Sequence, residues 1–328
     1  YKNIRWEMAF SWENLIDLWD VYLNKNLEAF KEFYDNWELR IVNKVWAPNH
    51  SRWHDTAQIQ VSSKLALQSV WTPWLIWELI KHETDPLNNI VLWTSKPKIY
   101  TNWNYLNIWW DSLKYNSSSS DKVNQINLLK DILKNREYPS NSTSTFLNSQ
   151  TLDLVWNTSV KDRVWYTLSD KLNFTSGLIS NNLWITYYIW GWWGYDTHDS
   201  QQKNWVYILN DRTKDLSKDI SDFFKAQKEL WTDLTIVVYS EFWRTLKANW
   251  TVWTDHGQWG GYFILTTNNN LKSSIPQKVI WKLKPSLEQN DWFWVWVDYR
   301  AIYNKILESL YWTDTNKCFW KDYNLDDY

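Results

Sequence analysis

Runs of uncharged, β-branched and aromatic residues alternate along the chain with stretches where apolar positions recur among charges. The uncharged runs predict strands: LWITYYIW at 183–190, GYFILTT at 261–267 and, clearest, DLTIVVYS at 233–240. Shorter strands are predicted within NWELRIVNKV (36–45), after its opening turn, and within DPLNNIVLW (85–93). Apolar residues at helical spacing predict helices over 24–35, 151–172, 215–230 and 298–311, the third amphipathic and the last a closing helix. Residues 56–82 read as loop plus helix with a break near Pro73. A serine run from Ser117 to Ser120 and SNSTST at 140–145 mark residues 111–150 as a mobile insertion around one helix near 122–135. Strands alternating with helices predict an α/β sandwich on a mostly parallel sheet, whose functional loops lie beyond the carboxyl ends of its strands.

Length and charge narrow this only slightly. The chain has 328 residues, room for one large α/β domain or two modest ones. A formal net charge of −2 gives no reason to expect nucleic acid or an anionic membrane surface as partner. The lone Cys318 excludes an internal disulfide framework and a cluster of thiolate ligands. No apolar run reaches the length of a membrane span. The chain starts at Tyr1 rather than Met, so the missing leader pattern carries no weight.

One compositional feature changes the picture. There are 31 tryptophans and 6 glycines, whereas ordinary usage gives roughly 23 glycines in such a length. The tryptophans occupy glycine contexts: Asn36-Trp37, Asn102-Trp103, Asn204-Trp205 and Asn249-Trp250 stand where Asn-Gly is a turn signal. A bulky side chain clashes at positive φ, where glycine is free. The expectation is that many of these positions are glycine codons, UGA read as glycine by the host and as tryptophan by a translation table that assigns UGA to that residue. Trp243, Trp253 and Trp259, inside the motif loops, are then expected to crowd the site or to carry strained backbone.

Candidate chemistry lies after two predicted strands. Asp196 and His198 follow the strand ending near Trp190, and Glu241 and Arg244 follow the strand ending at Ser240. Of the five histidines, two sit beside an aspartate in a loop: Asp196-x-His198 and Asp255-His256. Two carboxylates and two imidazoles suit a divalent cation, whether zinc, magnesium, manganese or calcium. Each pair alone is a common turn composition; the two together, each after a strand, make a stronger pattern.

With the suspect tryptophans read as glycine, TDHGQWGGYF (254–263) becomes a glycine-rich TDHG loop and SEFWRT (240–245) becomes SEFGRT, while GYDTHDSQ (194–201) stands as written. So read, the chain resembles the bacterial domain-of-unknown-function family 1501, in the alkaline phosphatase-like superfamily of sulfatases and phosphomutases. YKNIRWEMAF at the start, FYDNWELRIV (33–42), SRWHDTAQ (51–58) and VDYRAIYNKILESLY (297–311) extend the resemblance over most of the chain.

The resemblance implies one domain over 1–328, a three-layer α/β/α sandwich with metal ligands at the carboxyl edge of its sheet. Asp255 and His256 match the superfamily's adjacent Asp-His pair, and Asp196 and His198 its other pair at tighter spacing. It adds His54 as a further ligand, Glu241 as a ligand or as a base behind the ligands, and Arg244 as the holder of an anionic oxygen. Two features depart from the superfamily pattern. Its first ligand-bearing strand, with the nucleophile, is expected before Tyr1, and no histidine follows His256. Ser240 and Thr254 lie near the motifs, but neither is assigned as nucleophile.

The function so implied is metal-dependent hydrolysis of phosphate or sulfate esters of a small molecule or glycan, outside the cytoplasm, with no nucleic-acid partner. The rival is a non-catalytic cell-envelope binding protein on the same fold, with indole faces stacking on sugars if the tryptophans are literal.

Overall fold

The computed structural model describes residues 12–47, 50–62, 89–92, 106–108, 167–180, 186–189, 195, 206–230, 232–245, 255–257, 259–280 and 297–311. The expected insertion at 111–150, its helix near 122–135, and the predicted helical stretches at 63–82 and 151–166 lie outside the described residues. The chain divides into two compact units, one of residues 1–75 with 193–328, the other of residues 76–192.

The larger unit is built around β3 (Leu39–Trp46), a strand buried at every position but its last. β8 (Gly260–Thr266) lies antiparallel to it, pairing Leu39 with Leu265 and Val42 with Tyr262. β7 (Thr235–Tyr239) is antiparallel to β8 in turn, pairing Tyr239 with Tyr262. Two short strands run parallel to β3: β9 (Val279–Ile280) at Ile41 and Val42, and β10 (Val297–Asp298) at Val45 and Trp46. A register shift between Val42 and Val45 places one extra residue on β3, where Lys44 takes φ 54°. That is a β-bulge with a left-handed residue.

The sheet is therefore mixed, which corrects the expected three-layer sandwich on a mostly parallel sheet. Only β9 and β10 are parallel to β3, and β8 opposes both long neighbours. The reason is the connection. β7 returns to β8 through residues 240–259 as a hairpin, and hairpins join antiparallel strands. A separate three-stranded parallel sheet, of order β5 (Leu106–Ile108), β4 (Asn89–Leu92), β6 (Thr186–Ile189), belongs to the smaller unit. No single parallel sheet runs through the described residues.

The helices at 25–35 and 299–311 match their predicted segments, whereas the one expected from residue 215 begins at Val206, the described helix at Leu168–Ser180 overlaps the expected 151–172 only at its start, and Asn269–Ser274 was not expected. A 3-10 turn (Lys25–Phe30) leads into α1 (Lys31–Asp35), and α4 (Val206–Glu229) packs along both. Ser217 and Ser221 donate to the carbonyls of Asn26 and Ala29, and Phe33 meets Phe224 edge-on at 5.0 Å. α2 (His54–Ser62) follows β3 and α5 (Asn269–Ser274) follows β8, while α6 (Tyr299–Tyr311) closes the described chain with Tyr303 against Tyr262 of the sheet. In the smaller unit α3 (Leu168–Ser180) is opened by a reciprocal cap: the Thr167 hydroxyl accepts from the Asp170 amide, and the Asp170 carboxylate accepts from the Thr167 amide. No helix among the described residues is long and apolar enough to cross a membrane.

Arg40, on β3, is 2% exposed. Its Nε donates to the Ile275 carbonyl at 2.7 Å, Nη1 to the Trp37 carbonyl at 2.7 Å and Nη2 to the Lys272 carbonyl at 3.0 Å. One guanidinium thus satisfies carbonyls at the end of α5 and in the turn after α1. Lysine is a point charge without that fork. Arg40→Lys should destabilise the protein by about 2 kcal/mol or more, because buried carbonyls lose their donors; denaturant titration measures the loss.

Two tryptophans sit in the left-handed region, Trp19 at φ 71° and Trp37 at φ 59°. Trp37 ends α1 in the Schellman arrangement: the Glu38 amide donates to the Phe33 carbonyl at 2.8 Å and the Trp37 amide to the Tyr34 carbonyl at 3.2 Å. The left-handed position of that motif belongs to glycine. Trp19 lies at the tip between β1 (Leu15–Asp17) and β2 (Tyr22–Asn24), 98% exposed, where the first tip residue of such a hairpin is again a glycine position. Trp19→Gly should stabilise the protein by about 1 kcal/mol, whereas Trp19→Ala, which keeps a Cβ, should stabilise it much less. Trp37→Gly should gain less than Trp19→Gly, because the indole also lies under Lys278 at 4.4 Å and Arg40 at 5.8 Å. UGG codons at both positions would sink the glycine reading of these two turns.

Candidate functional site

The carboxyl ends of β3, β7 and β10 and the amino end of β8 share one edge of the larger unit's sheet, since Val45 pairs with Gly260 and Val297, and Tyr239 with Tyr262. Two segments leave β3 and β7 at this edge and meet. After β3 the chain passes His50 and turns at Ser51, whose amide donates to Gln60 Oε1 at 2.6 Å and whose hydroxyl accepts from the Trp53 amide at 3.1 Å. α2 then begins at His54. After β7 come Ser240, Glu241, Phe242 and Trp243, and the outgoing leg is zipped to the returning one. The Trp243 amide donates to the Trp259 carbonyl at 2.8 Å, the Gly257 amide to the Trp243 carbonyl at 2.8 Å and the Thr245 amide to the Asp255 carbonyl at 2.9 Å. Arg244 and His256 form an isolated antiparallel bridge within this zip. A Cβ on Gly257 would stand 2.6 Å from the Trp243 carbonyl oxygen, so the close pairing of the legs requires glycine there.

His54 Nδ1 lies 2.5 Å from Glu241 Oε1, with the two side chains 37% and 17% exposed. The other carboxylate oxygen, Oε2, accepts from the Ser240 hydroxyl at 3.1 Å. Burial pushes the Glu241 carboxyl up, but the hydrogen bonds from His54, its own backbone and Ser240, with the charge of His54, outweigh burial and hold it below its ordinary value. His256 Nδ1 lies 2.5 Å from the Arg52 carbonyl oxygen. The rings of His54 and His256 meet edge to face at 4.3 Å, and both pack on the phenyl ring of Phe242, at 4.9 and 4.5 Å.

The tautomers follow from the partners. A carbonyl and an ionised carboxylate only accept hydrogen bonds, so each imidazole carries its proton on Nδ1. In the neutral ring Nε2 is then the basic nitrogen. Histidines that bind metals are held in this way, one ring nitrogen donating to a carboxylate or backbone carbonyl and the other facing the ion.

Of the residues singled out in the sequence, His54, Glu241 and His256 converge although they come from three separated segments, and Arg244 is joined to His256 through the backbone bridge. Asp255 is the exposed neighbour of His256, its amide donating to the Thr245 hydroxyl at 3.1 Å. Asp196 and His198, expected to converge with Asp255 and His256, lie outside the described residues. Among the described residues no group of three His, Cys, Asp or Glu is placed to hold a metal ion. The two imidazoles therefore fit a divalent cation in donor type and tautomer but do not complete a coordination sphere.

Three participants were not foreseen. Phe242 is 5% exposed between the two rings, the Arg52 carbonyl orients His256, and His50, itself buried, lies 6.5 Å from Phe242. The close spacing of His50 and His54 in NHSRWH was the available signal for His50; a backbone carbonyl has none. The strain expected at Trp243 and Trp259 is absent. Neither has positive φ; their rings pack together at 5.3 Å, and Trp243 lies across Gly261, where a Cβ would clash with the indole. Trp253 lies outside the described residues.

No protein family, curated protein or solved structure matches this chain.

Because Glu241's folded pKa lies below its unfolded one, the stability from its pairing is complete above the ordinary carboxylate value and is lost as pH falls through the lowered one. Glu241→Gln should therefore cost most near neutrality, and the gap to wild type should close below about pH 4. Denaturant titrations of both proteins across pH measure it; a gap independent of pH would show that the carboxylate's charge contributes nothing.

Proposed function

We propose that the chain is a metal-dependent hydrolase of phosphate or sulfate esters, acting on a small molecule or glycan. The observation that carries the reading is the meeting of His54 and His256 at the strand edge with both Nδ1 atoms already engaged, by Glu241 and by the Arg52 carbonyl. The motif resemblance supports it independently.

The Nε2 atoms of His54 and His256 would hold the cation. Among zinc, magnesium, manganese and calcium, two imidazole donors suit zinc best. Asp255 is proposed as a further ligand, with Asp196 and His198 from outside the described residues. When bound, the cation polarises the ester and lowers the pKa of water. Glu241 acts through His54, fixing its tautomer and ring direction, and is a positioning residue in this scheme. Arg244 would offset negative charge on the phosphoryl or sulfuryl group with a planar fork of donors.

Zinc, magnesium, manganese and calcium should be added separately to chelated full-length protein and melting followed. A bound metal at 100 times its dissociation constant adds roughly 2.7 kcal/mol of stability, a rise of a few degrees. His54→Ala combined with His256→Ala should abolish that rise, and the wild type should turn over an aryl phosphate or aryl sulfate. Melting curves indifferent to every metal, with no turnover of either ester, would overturn the reading in favour of a non-catalytic binding protein.

A further inference from the structure

We infer that Arg212 anchors an oxyanion site on α4, its guanidinium taking a phosphate or sulfate group. The inference goes beyond the hydrolase reading and does not rest on it.

The observation that carries it is a guanidinium nitrogen shut off from solvent and left unbonded. Among the described residues, Arg212 Nη1 is buried and has no hydrogen-bond partner. A buried donor without an acceptor is costly, and more so when it carries charge. Two other buried guanidiniums of the chain are fully engaged. Arg40 donates to three main-chain carbonyls, and Arg300 grips the Asp298 carboxylate through two nitrogens. Asp215 stands at ion-pair spacing from Arg212, three residues along α4, yet it is exposed and does not bond to Nη1.

The helix gives this group a place of its own. α4 meets the 3-10 turn and α1 through Ser217, Ser221 and Phe224. Arg212 lies on a different stripe, with Leu209 at i−3 and Leu216 at i+4, all three half-buried. Tyr195 comes up to this stripe. Burial raises the pKa of its phenol, and the Thr213 hydroxyl and the Arg212 guanidinium oppose that rise, as groups near the phenol oxygen do. Tyr195 is also 43% exposed, so the cluster lies close to the surface, within reach of a dissolved anion. A phosphate or sulfate presents several oxygens to the planar fork of a guanidinium and brings the negative charge that water lacks.

The test uses chelated full-length protein, so that no metal takes part. Inorganic phosphate or inorganic sulfate should raise the melting temperature of wild type by a few degrees beyond sodium chloride at equal ionic strength. Arg212→Met removes the charge and keeps much of the stem. Without anion it should melt within about 2 °C of wild type, because no hydrogen bond of Nη1 is lost. Its dissociation constant for phosphate should rise about 10-fold or more, the worth of a charged hydrogen bond. Arg244→Gln should bind phosphate as wild type does. Glycerol phosphate bound more tightly than inorganic phosphate marks a group carried on a larger molecule, and the reverse order marks a dissolved ion.

Wild type that responds to phosphate and sulfate no more than to chloride would overturn the inference. So would an Arg212→Met protein that does not fold, since the guanidinium would then serve the fold. Phosphate binding lost in Arg244→Gln and kept in Arg212→Met would overturn it and leave the hydrolase reading standing. Binding lost only in Arg212→Met, from a protein indifferent to metals and without ester turnover, would sink the hydrolase reading and leave the oxyanion site.

Discussion

A buried guanidinium on β3 holds the larger unit's sheet to its helices, and the candidate site depends on the strand it anchors. Arg40 spends its donors on three main-chain carbonyls of two other segments rather than on a carboxylate. A charge so placed is costly to bury unless fully hydrogen-bonded, so alternative registers of β3 are penalised. Fixing β3 fixes β8 through their pairing, and β8 fixes β7. With Val45 opposite Gly260 and Tyr239 opposite Tyr262, the segments carrying His54, Glu241 and His256 must leave the sheet at the same edge. A slip of one residue would send each side chain to the other face.

That edge explains why much of the site could be read from sequence although the sheet was misjudged. Loops beyond the carboxyl ends of β3 and β7 carry the polar residues whichever way the strand between them runs. Strand direction is written in the connections, not in hydrophobicity. The uncharged run in β7 looks like the centre of a parallel sheet, yet every residue of β7 is half-buried and it pairs with β8 through a long hairpin. β9 and β10 are two residues each, too short for any periodicity to mark them. The helices at 25–35 and 299–311, and the one at 206–229 from residue 215 onward, were legible because each carries apolar residues at helical spacing.

Within the site, side chains with titratable groups were visible and the groups that orient them were not. His54, Glu241 and His256 stand out by chemistry in short motifs. The carbonyl of Arg52 and the ring of Phe242 are ordinary until the fold brings them to the imidazoles. Tautomer and ring direction are therefore tertiary properties here: the same Asp-His pair in another loop would offer the same atoms without a defined basic nitrogen.

The tryptophans divide along the same line between local and tertiary causes. At Trp37 and Trp19 the backbone itself demands glycine: one closes a Schellman turn and the other a hairpin tip, both with positive φ. The local context Asn36-Trp37 announced the first of these. Trp243 and Trp259 sit in equally glycine-like sequence, but their backbone is ordinary and their rings fill space against each other and over Gly261. Backbone strain thus argues for glycine at the turns alone. At the site the argument is one of volume: glycine at 243 would remove the indole covering Gly261 and open the strand beside the segment that carries Phe242. The identity of residue 243 therefore bears on how a ligand reaches this edge, whereas residues 19 and 37 bear on the stability of the fold that builds it.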